Sequence, residues 1–582
     1  MPARRKTAVH LKYNEGPFAG FTVIGFSLSR ILRQLGTATS VILLHGMLLT
    51  SADCHGQQPV SPAVALTSNA ALVTVPVSVR DHEGRPLTGL QKSDFTVLDE
   101  GHAQTIAVFE EVHASAAPQQ GQSADKLTFS NLALAPAAAA PLIIAIDSIN
   151  SPFLSQTRAK KGLIQYLATH LDANQPTALL LLTPKGIRQL HTFTKDTAAL
   201  IAAAQRAQAK VAHSESELTD EDIAYLFGED APNQLAQNSL RAEAGFRQEN
   251  AIRDTLGAFQ QVARAFAGMR GRKSLVWLSS GFPLVIDDPR AITNMGSDFF
   301  RDYETTWELL NRAHIAVYPV NLEALSYGSG SNPYTGKARR PSSIPPTGAP
   351  RPDRDEQSVA SLRAFAGATG GSACINNTNI SECIGKAAAD SRDYYLVAFY
   401  VSQANSKPGW HKLSVKLDRP HGEMQARSKY YLAQSSKPDA RQVEMAIASA
   451  VASPMEYGGI GFSVRPESLS EASEKTKGIS QRTSLMFRIS FPAAGVTALD
   501  SGNGLSFDLL ALPVNAAGVP LNEDAMRLRI NLPPDKVAAA EKNGLTISQR
   551  LVLPIGSSLV KFIAVSQQDG SVGSVFVPLM HD

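Results

Sequence analysis

One acidic residue and a cluster of small polar residues follow an unbroken apolar run in the first third of the chain. The run is Leu142-Ile143-Ile144-Ala145-Ile146, and Asp147-Ser148-Ile149-Asn150-Ser151 comes directly after it. A short apolar run without alternation is typical of a strand that is buried on both faces. The polar cluster would then lie at the carboxyl end of that strand, where open α/β sheets bind their ligands. This turn is therefore the candidate site for a metal ion or another ligand.

The segments that must position this turn alternate between predicted strands and helices. Phe153 to Leu171 has apolar residues at helical spacing. Further unbroken apolar runs are separated by helical segments. Residues 212–250 are interpreted as an insertion, and residues 326–357 as a long loop. The predicted strands after the first are 178–182, its hairpin partner 187–193, 274–281, 314–320 and 370–374. Strands that alternate with helices predict a doubly wound parallel sheet with helices on both faces, over residues 141–393.

Two β segments flank this α/β domain. Val73, Val75, Val77 and Val79 alternate with other residues in the first segment, residues 70–111. The second segment, residues 394–433, shows three further strands. Because neither half is large enough to be stable alone, we predict that they form one split β-sandwich with the α/β domain inserted in it. Residues 112–140 are rich in Ala, Pro, Gln and Ser, which predicts a linker.

The last part of the chain predicts a further domain. A helix near the start of residues 438–582 is followed by strands at regular spacing with Gly, Asn and Pro turns. This pattern favours a C-terminal β-sandwich. A chain of 582 residues is too long for one core, so about three or four domains are expected. The predicted fold class is thus a multidomain α/β plus β protein.

The charge balance does not indicate a polyanionic partner. The formal net charge is +3, and the basic residues are dispersed along the chain without interleaved aromatic residues. Charge therefore favours neither nucleic acid nor an anionic membrane surface as a partner. The sequence does not determine the oligomeric state.

The N-terminus is typical of a targeting segment. Basic residues come first, and an apolar run from Val41 to Leu49 then leads into polar residues. This favours an export signal in residues 1–56, cleaved between Ala52 and Gln57; an uncleaved anchor or a start codon placed too early are the alternatives. Because no N-terminal run reaches the roughly 20 residues that span a bilayer, no transmembrane bundle is expected. The expected location is periplasmic, outer-surface or secreted.

Cys374 and Cys383 are the only cysteines after the predicted signal, since the third cysteine is Cys54. In an exported protein, two cysteines so close in sequence predict a disulfide that closes a short loop. Two buried thiols are the alternative.

Known catalytic motifs are missing from the sequence. It contains no Gly-x-Ser-x-Gly elbow, no His-Glu-x-x-His helix and no Gly-x-x-x-x-Gly-Lys phosphate loop. The expectation is a protein that is not an enzyme. A hydrolase whose Ser, His and Asp come from distant positions is a low-weight alternative.

The order of these segments resembles the bacterial VWFA-related domain family, exported proteins with a divergent von Willebrand factor type A domain. The resemblance rests on Leu142–Ser151, Gly271–Pro283, Ile315–Val320 and Thr369–Tyr400, and on Val73–Phe109 as the β module before them. It covers about residues 70–432. It implies a type A fold and, in many such domains, Mg²⁺ at the carboxyl end of the sheet. Mg²⁺ prefers six oxygen ligands in an octahedron.

Carried over position by position, the family's metal motif is only partly present. Asp147 and Ser151 match the ends of Asp-x-Ser-x-Ser, whereas Ile149 replaces the middle serine. The loop that normally ends in Asp-Gly reads Ser279-Ser280-Gly281, and Thr255 is the nearest threonine for the third loop. The implied ligands are Asp147, Ser151 and Ser280, with Asn150, Ser279 and Thr255 as further candidates. With one carboxylate instead of two, at best a weak Mg²⁺ or Mn²⁺ site is expected; a hydrogen-bonded turn in which Asp147 caps the next helix is the alternative.

These observations favour an exported binding protein. Its type A-like domain would bind a protein or cell-surface ligand, as in adhesion, through the face around Asp147 and Ser280, with the 326–357 loop nearby. The alternative is a structural scaffold of the cell envelope, in which the site is inert and the β domains make the contacts.

Overall fold

The computed structural model describes most of the chain from residue 72 onward. The described residues are 10–11, 72–113, 127–131, 140–207, 231–269, 271–282, 297–323, 354–401, 407–418, 422–432, 438–467, 483–497, 499, 504–516, 518–521 and 525–579. The predicted export segment, apart from residues 10–11, lies outside them. So do residues 212–230 of the predicted insertion and residues 326–353 of the predicted loop.

Strands outnumber helices in the described part of the chain. The strands are β1 (His10–Leu11), β2 (Leu72–Arg80), β3 (Phe95–Asp99), β4 (His102–Gln104), β5 (Ile106–His113), β6 (Phe129–Ser130), β7 (Leu142–Asp147), β8 (Thr177–Thr183), β9 (Gly186–Thr194), β10 (Lys273–Ser279), β11 (Ile315–Asn321), β12 (Asp393–Tyr400), β13 (Gly409–Leu417), β14 (Glu423–Gln425), β15 (Lys429–Leu432), β16 (Ser463–Glu467), β17 (Thr483–Phe491), β18 (Leu505–Asn515), β19 (Met526–Leu532), β20 (Leu545–Leu553), β21 (Ser557–Ser566) and β22 (Val572–Pro578). The helices are α1 (Phe153–Thr169), α2 (Thr197–Arg206), α3 (Ala231–Phe266), α4 (Ser297–Arg312), α5 (Arg354–Thr369), α6 (Ile380–Asp390), α7 (Ala440–Ala452), α8 (Ala493–Thr497) and α9 (Pro534–Asn543).

The central sheet has the order β11-β10-β7-β8-β9. The first four strands are parallel, and β9 is an antiparallel edge strand that forms a hairpin with β8. Cys374 adds a parallel bridge beside Val320, where the sequence predicts a short last strand. The strand β7, which carries Asp147 at its end, therefore lies in the middle of the sheet.

Helices cover both faces of this sheet because its strands are apolar on both faces. Leu142 and Ile144 of β7 share a core with α1, α2 and α6. Ile143 and Ala145 share a second core with α3, α4 and α5, which includes the buried Trp307. The structure is thus a mixed α/β fold around the site, combined with several further sheets. Among the described helices, none is both long enough and apolar enough to cross a membrane.

Strands from before and after the α/β unit pair with each other. One sheet has the order β14-β2-β12-β5 and the other β15-β13-β3-β4. Alternate residues of both sheets, among them Val75, Val97 and Val397, are buried in one common core. The residues near 72–113 are therefore hydrogen-bonded to those near 393–432, about 300 positions later in the chain.

The C-terminal strands form two more sheets, β1-β20-β17-β16-β6 and β19-β18-β21-β22. Phe462, Phe487 and Phe562 are buried between them. The end of α3 packs closely on this part of the chain, since Gly458 N donates to Ala265 O. Gly268 is required there, because a Cβ at this position would lie 1.4 Å from Gly458 O.

One short piece of the predicted linker has regular structure. Phe129 and Ser130 form β6, which pairs with β16 at Val464 and Ser463. The next residue, Asn131, is buried and hydrogen-bonded to the C-terminal part of the chain. The linker composition of residues 112–140 does not indicate this pairing. The reason is that pairing with a distant strand can order a few residues whose local composition favours none.

Candidate functional site

Asp147 is the centre of a hydrogen-bonded turn at the carboxyl end of β7. Its Oδ1 accepts hydrogen bonds from the backbone N–H groups of Ile149, at 2.8 Å, and Asn150, at 3.0 Å. A carboxylate that binds the N–H two residues later forms an Asx turn, which holds the chain as it leaves the strand. Asp147 therefore determines the path of the backbone from β7 toward α1.

The other carboxylate oxygen of Asp147 accepts three side-chain hydrogen bonds. The donors are Asn150 Nδ2 at 2.8 Å, Trp277 Nε1 at 3.0 Å and Ser279 Oγ at 2.7 Å. Trp277 and Ser279 lie on the neighbouring strand β10. The carboxylate thus joins the ends of the two central strands.

The carboxylate of Asp147 is fully shielded from solvent, with an exposed fraction of 0% for the residue. Burial raises the pKa of Asp147, while the hydrogen bonds from Asn150, Ser279 and Ile149 oppose that rise. Five donors replace the water that the carboxylate would bind in the unfolded chain. The turn is therefore a polar network inside the protein rather than a charge at its surface.

The alternative reading, a hydrogen-bonded turn in which Asp147 caps the next helix, agrees with the structure in the turn but not in the cap. Helix α1 begins at Phe153, its N-cap residue is Pro152, and no side chain caps it. Both N–H groups that Asp147 Oδ1 binds belong to the turn before the helix. Asp147 therefore stabilises the turn that precedes α1 and does not cap the helix itself.

The other predicted site residues lie beside Asp147. Ser151 Oγ accepts a hydrogen bond from the backbone N–H of Ser280 at 3.0 Å, which links the turn to the loop after β10. Thr255 lies on α3, and its Oγ1 accepts from Asn150 Nδ2 at 2.9 Å and donates to Ala251 O at 2.7 Å. Hydrogen bonds thus connect Asp147 with Asn150, Thr255 and Ser279, and a separate hydrogen bond connects Ser151 with Ser280.

This arrangement does not fit an octahedral metal ion. Both oxygens of Asp147 already accept hydrogen bonds from donors of the protein, so a cation at either oxygen would have to displace them. Ile149 is buried in the apolar core, and a serine hydroxyl takes the position of a second carboxylate. In the described part of the chain, no group of three or more His, Cys, Asp or Glu residues could hold a metal ion. The chemistry that this site offers is therefore structural positioning of the loops.

Sequence analysis did not identify two features of this site. One is Trp277, which the sequence indicates only as an apolar residue of a buried strand, although its indole N–H donates to the carboxylate of Asp147. The other is an apolar surface at the start of α1, where Phe153 is 44% and Leu154 is 68% exposed. In the sequence, only the position of Phe153 and Leu154 at the start of a predicted amphipathic helix, before its first buried residues, could have indicated that they are exposed.

A disulfide joins Cys374 to Cys383, with 5.9 Å between the Cα atoms. It connects the short strand beside β11 with helix α6, whose N-cap is the side chain of Asn379. The loop between them is thereby fixed to the same half of the sheet that carries the end of β11.

Comparisons with known proteins leave the family open. No family model and no curated protein matches the sequence. One solved structure that the chain resembles is entitled "Crystal Structure of the SpRpn10 VWA domain", at 12% identity and a TM-score of 0.16. The match covers 31% of this chain and 74% of that one. It is a distant likeness to a VWA domain, and no activity or partner follows from it.

Proposed function

We propose that this chain is an exported binding protein, and not an enzyme, that contacts a partner protein or a cell-surface ligand through the carboxyl edge of its parallel sheet. Leu154 carries this proposal, because 68% of its surface is exposed immediately after the Asp147 turn. Phe153 beside it is also exposed. Exposed apolar residues that adjoin each other are a common feature of protein-binding surfaces.

The geometry of the turn supports contact without a metal ion. The hydrogen bonds of Asp147 hold Ile149, Asn150 and the neighbouring strand in one arrangement. A preorganised surface loses little conformational entropy when a partner binds. Asp147 would then act by positioning α1 and its two apolar residues, and not by ligating a shared cation.

For the architecture, we propose a von Willebrand factor type A-like α/β domain inserted in a split β-sandwich and followed by a C-terminal β-sandwich. The pairing of β2 with β12, and of β3 with β13, joins strands from before and after the α/β unit and so supports the split domain. The disulfide between Cys374 and Cys383 supports export, since disulfides persist in oxidising compartments. In the alternative, a cell-envelope scaffold, the β domains alone would make the contacts.

The test compares two exposed apolar residues of equal accessibility. A photo-crosslinking amino acid is placed at Leu154, or at Ile555, which is 66% exposed in a turn between β20 and β21. A protein captured at 154 and not at 555 is then purified, and its affinity for the chain is measured directly. Leu154→Asp should weaken this binding about tenfold or more, and Ile555→Asp should not change it.

Four outcomes would count against the proposal. Equal effects of the two substitutions would indicate nonspecific apolar contact. Loss of binding with Ile555→Asp alone would favour the scaffold with contacts in the β domains. Loss of binding in a metal chelator would contradict the metal-independent surface. Turnover by the purified chain in a broad hydrolase screen would revive the enzymatic alternative.

A further inference from the structure

A cavity of about 430 Å³ lies between the edge of the α/β sheet and the C-terminal part of the chain. One wall is β9, from Gln189 to Phe193, together with Phe266 at the end of α3. The segment 454–456 and Phe576 of β22 form the other wall. Its volume is within the range of small-molecule sites in proteins.

One carboxylate, that of Glu456, lines this cavity. Its Oε1 accepts a hydrogen bond of 2.8 Å from the backbone N–H of Phe576, which fixes the side chain against β22. No ion pair joins Glu456 to a Lys, Arg or His residue in the part of the chain that the structure describes. A carboxylate in a partly buried position without a cationic partner is costly, so it favours a ligand that supplies one.

The other side chains of the cavity are largely apolar. The rings of Phe193 and Phe266 are in edge-to-face contact, with 5.0 Å between their centres. Met455 and Phe576 lie on the opposite wall. Aromatic faces and a thioether accept both an apolar body and a nearby positive charge.

We infer that this cavity binds an organic cation, a primary ammonium group on an aromatic or aliphatic body. The ammonium donates hydrogen bonds to the carboxylate of Glu456, and the body packs between Phe193 and Phe576. A charge-assisted hydrogen bond in a partly desolvated position is stronger than a neutral one, so the charge of the ligand determines its affinity. This site is separate from the surface at Leu154.

Two other titratable groups are near the cavity. His191 lines the wall on β9. Lys561 lies with its Nζ 4.8 Å from the centre of the Phe576 ring, and its ammonium donates to the carbonyl oxygens of Val451 and Ser453. Its hydrogen bonds therefore hold Lys561 on the backbone, and Glu456 keeps its free oxygen for a ligand.

Calorimetric titration of the full chain with phenethylamine tests the inference. The matched ligand is 2-phenylethanol, which has the same ring and no charge. The amine should bind about tenfold tighter or more than the alcohol. Glu456→Gln should remove this difference while keeping the hydrogen bond from Phe576, and Glu423→Gln, an exposed residue on β14, should leave it unchanged.

A second variant and the pH dependence locate the ligand. Thr192→Trp fills the cavity from its exposed edge and should weaken the binding of both probes.

Burial raises the pKa of Glu456 to about 7. Amine affinity should therefore rise from about pH 6 to 8 as the carboxyl group ionises, since the amine stays charged throughout. Burial lowers the pKa of Lys561 to about 8, and its loss of charge would act in the same direction. The rise should therefore persist in His191→Gln, which lacks the neighbouring imidazole, and be much reduced in Glu456→Gln.

The inference is overturned by any of three results. The first is equal affinity of the amine and the alcohol. The second is an amine affinity that Glu456→Gln or Thr192→Trp leaves intact. The third is the lack of binding of phenethylamine at about 10 mM.

Discussion

The indole Nε1 of Trp277 donates a hydrogen bond of 3.0 Å to Oδ2 of Asp147, between the two central strands of the α/β sheet. The same indole packs edge-to-face on Phe259 and Phe365, with ring centres 5.0 and 5.4 Å away. The acid of the candidate site is thus bonded to one of the two fully buried tryptophans of this core. A change at Asp147 should consequently affect the stability of the whole α/β unit.

Asp147→Ala should destabilise the α/β unit by about 3–5 kcal/mol, because it removes the acceptor of the buried Trp277 Nε1 and of the backbone N–H groups of Ile149 and Asn150. Denaturant unfolding followed by tryptophan fluorescence measures this change. Asp172→Asn is the control. Asp172 pairs with Arg392 near the surface, and the expected loss is below about 1 kcal/mol. Equal losses in the two variants would contradict the role assigned to the network.

A double-mutant cycle isolates the bond between the two residues. Trp277→Phe removes the N–H donor and keeps most of the aromatic packing, and the fluorescence of Trp307 and Trp410 still reports unfolding. The double variant should be more stable than the sum of the single losses predicts, by about 1.5–3 kcal/mol. Additive losses would mean that Trp277 does not stabilise the carboxylate.

The melting temperature in millimolar Mg²⁺ or Mn²⁺ should equal that in NaCl of the same ionic strength. The reason is that five donors already bind the carboxylate of Asp147. A metal at a hundred times its dissociation constant would stabilise the fold by about 2.7 kcal/mol, a shift that thermal unfolding detects easily. A saturable shift in melting temperature would show that the turn opens to admit a cation.

The strands of the α/β unit could be predicted because strands buried on both faces carry unbroken apolar runs. The run 142–146 lies within the observed strand Leu142–Asp147, and the hairpin partner predicted at 187–193 lies within Gly186–Thr194. The residues that follow β7 and β10 could also be placed beside each other, since they end neighbouring parallel strands. Thr255 lies on α3 and was implied only by the family resemblance.

What the site residues do could not be predicted from their types. Asp147 reads equally as a metal ligand, a helix cap or the acceptor of a buried network, and only the directions of the surrounding N–H groups distinguish these roles. Likewise, nothing in the Ala- and Pro-rich composition around Phe129 indicates its pairing with Val464, because the partner strand lies more than 300 residues away.

Stability should rise with pH through the titration of Lys273. This residue is fully buried, and its Nζ donates to the carbonyl oxygens of Met269 and Gly271. Burial lowers the pKa of Lys273 to about 7. Above that pH the unfolded chain, with an ordinary pKa near 10.5, binds more protons than the folded chain, so the free energy of unfolding increases.

Between about pH 7 and 9 this increase should amount to up to about 2 kcal/mol, as measured by denaturant unfolding at each pH. Lys273→Met should remove it, whereas Lys386→Met, at a lysine whose side chain is 69% exposed, should not. A pH dependence that is the same in both variants would place the titrating group elsewhere.

Removal of the disulfide should loosen the end of β11. Cys374→Ser with Cys383→Ser should cost roughly 2–3 kcal/mol, since the bond closes a loop of nine residue positions in the unfolded chain. Reductant should lower the stability of the wild-type chain by a similar amount and leave that of the double variant unchanged. Insensitivity of the wild-type chain to reductant would mean that the bond does not stabilise this region.

Among the described residues 127–131, Asn131 should be the one whose loss affects the C-terminal part of the chain most directly. Its Nδ2 donates to Tyr457 O at 2.7 Å and to Ile460 O at 2.8 Å, and its Oδ1 accepts from Phe462 N at 2.9 Å. Asn131→Ala removes the partner of two buried backbone groups, Ile460 O and Phe462 N, whereas Tyr457 O still accepts from Ser574 N, and it should cost about 2–4 kcal/mol.

Asn131→Asp sharpens this test because it changes only the two donated bonds. At neutral pH the new carboxylate faces two carbonyl oxygens, so the loss of stability should exceed that of Asn131→Ala. Acidification should recover part of it, since a protonated carboxyl group can donate one hydrogen bond again. Calorimetric unfolding at about pH 4 and 7 measures this difference, and Asn174→Asp, at an exposed turn, is the control. A variant as stable as the wild-type chain at both values would mean that residues 127–131 do not anchor the C-terminal sheets.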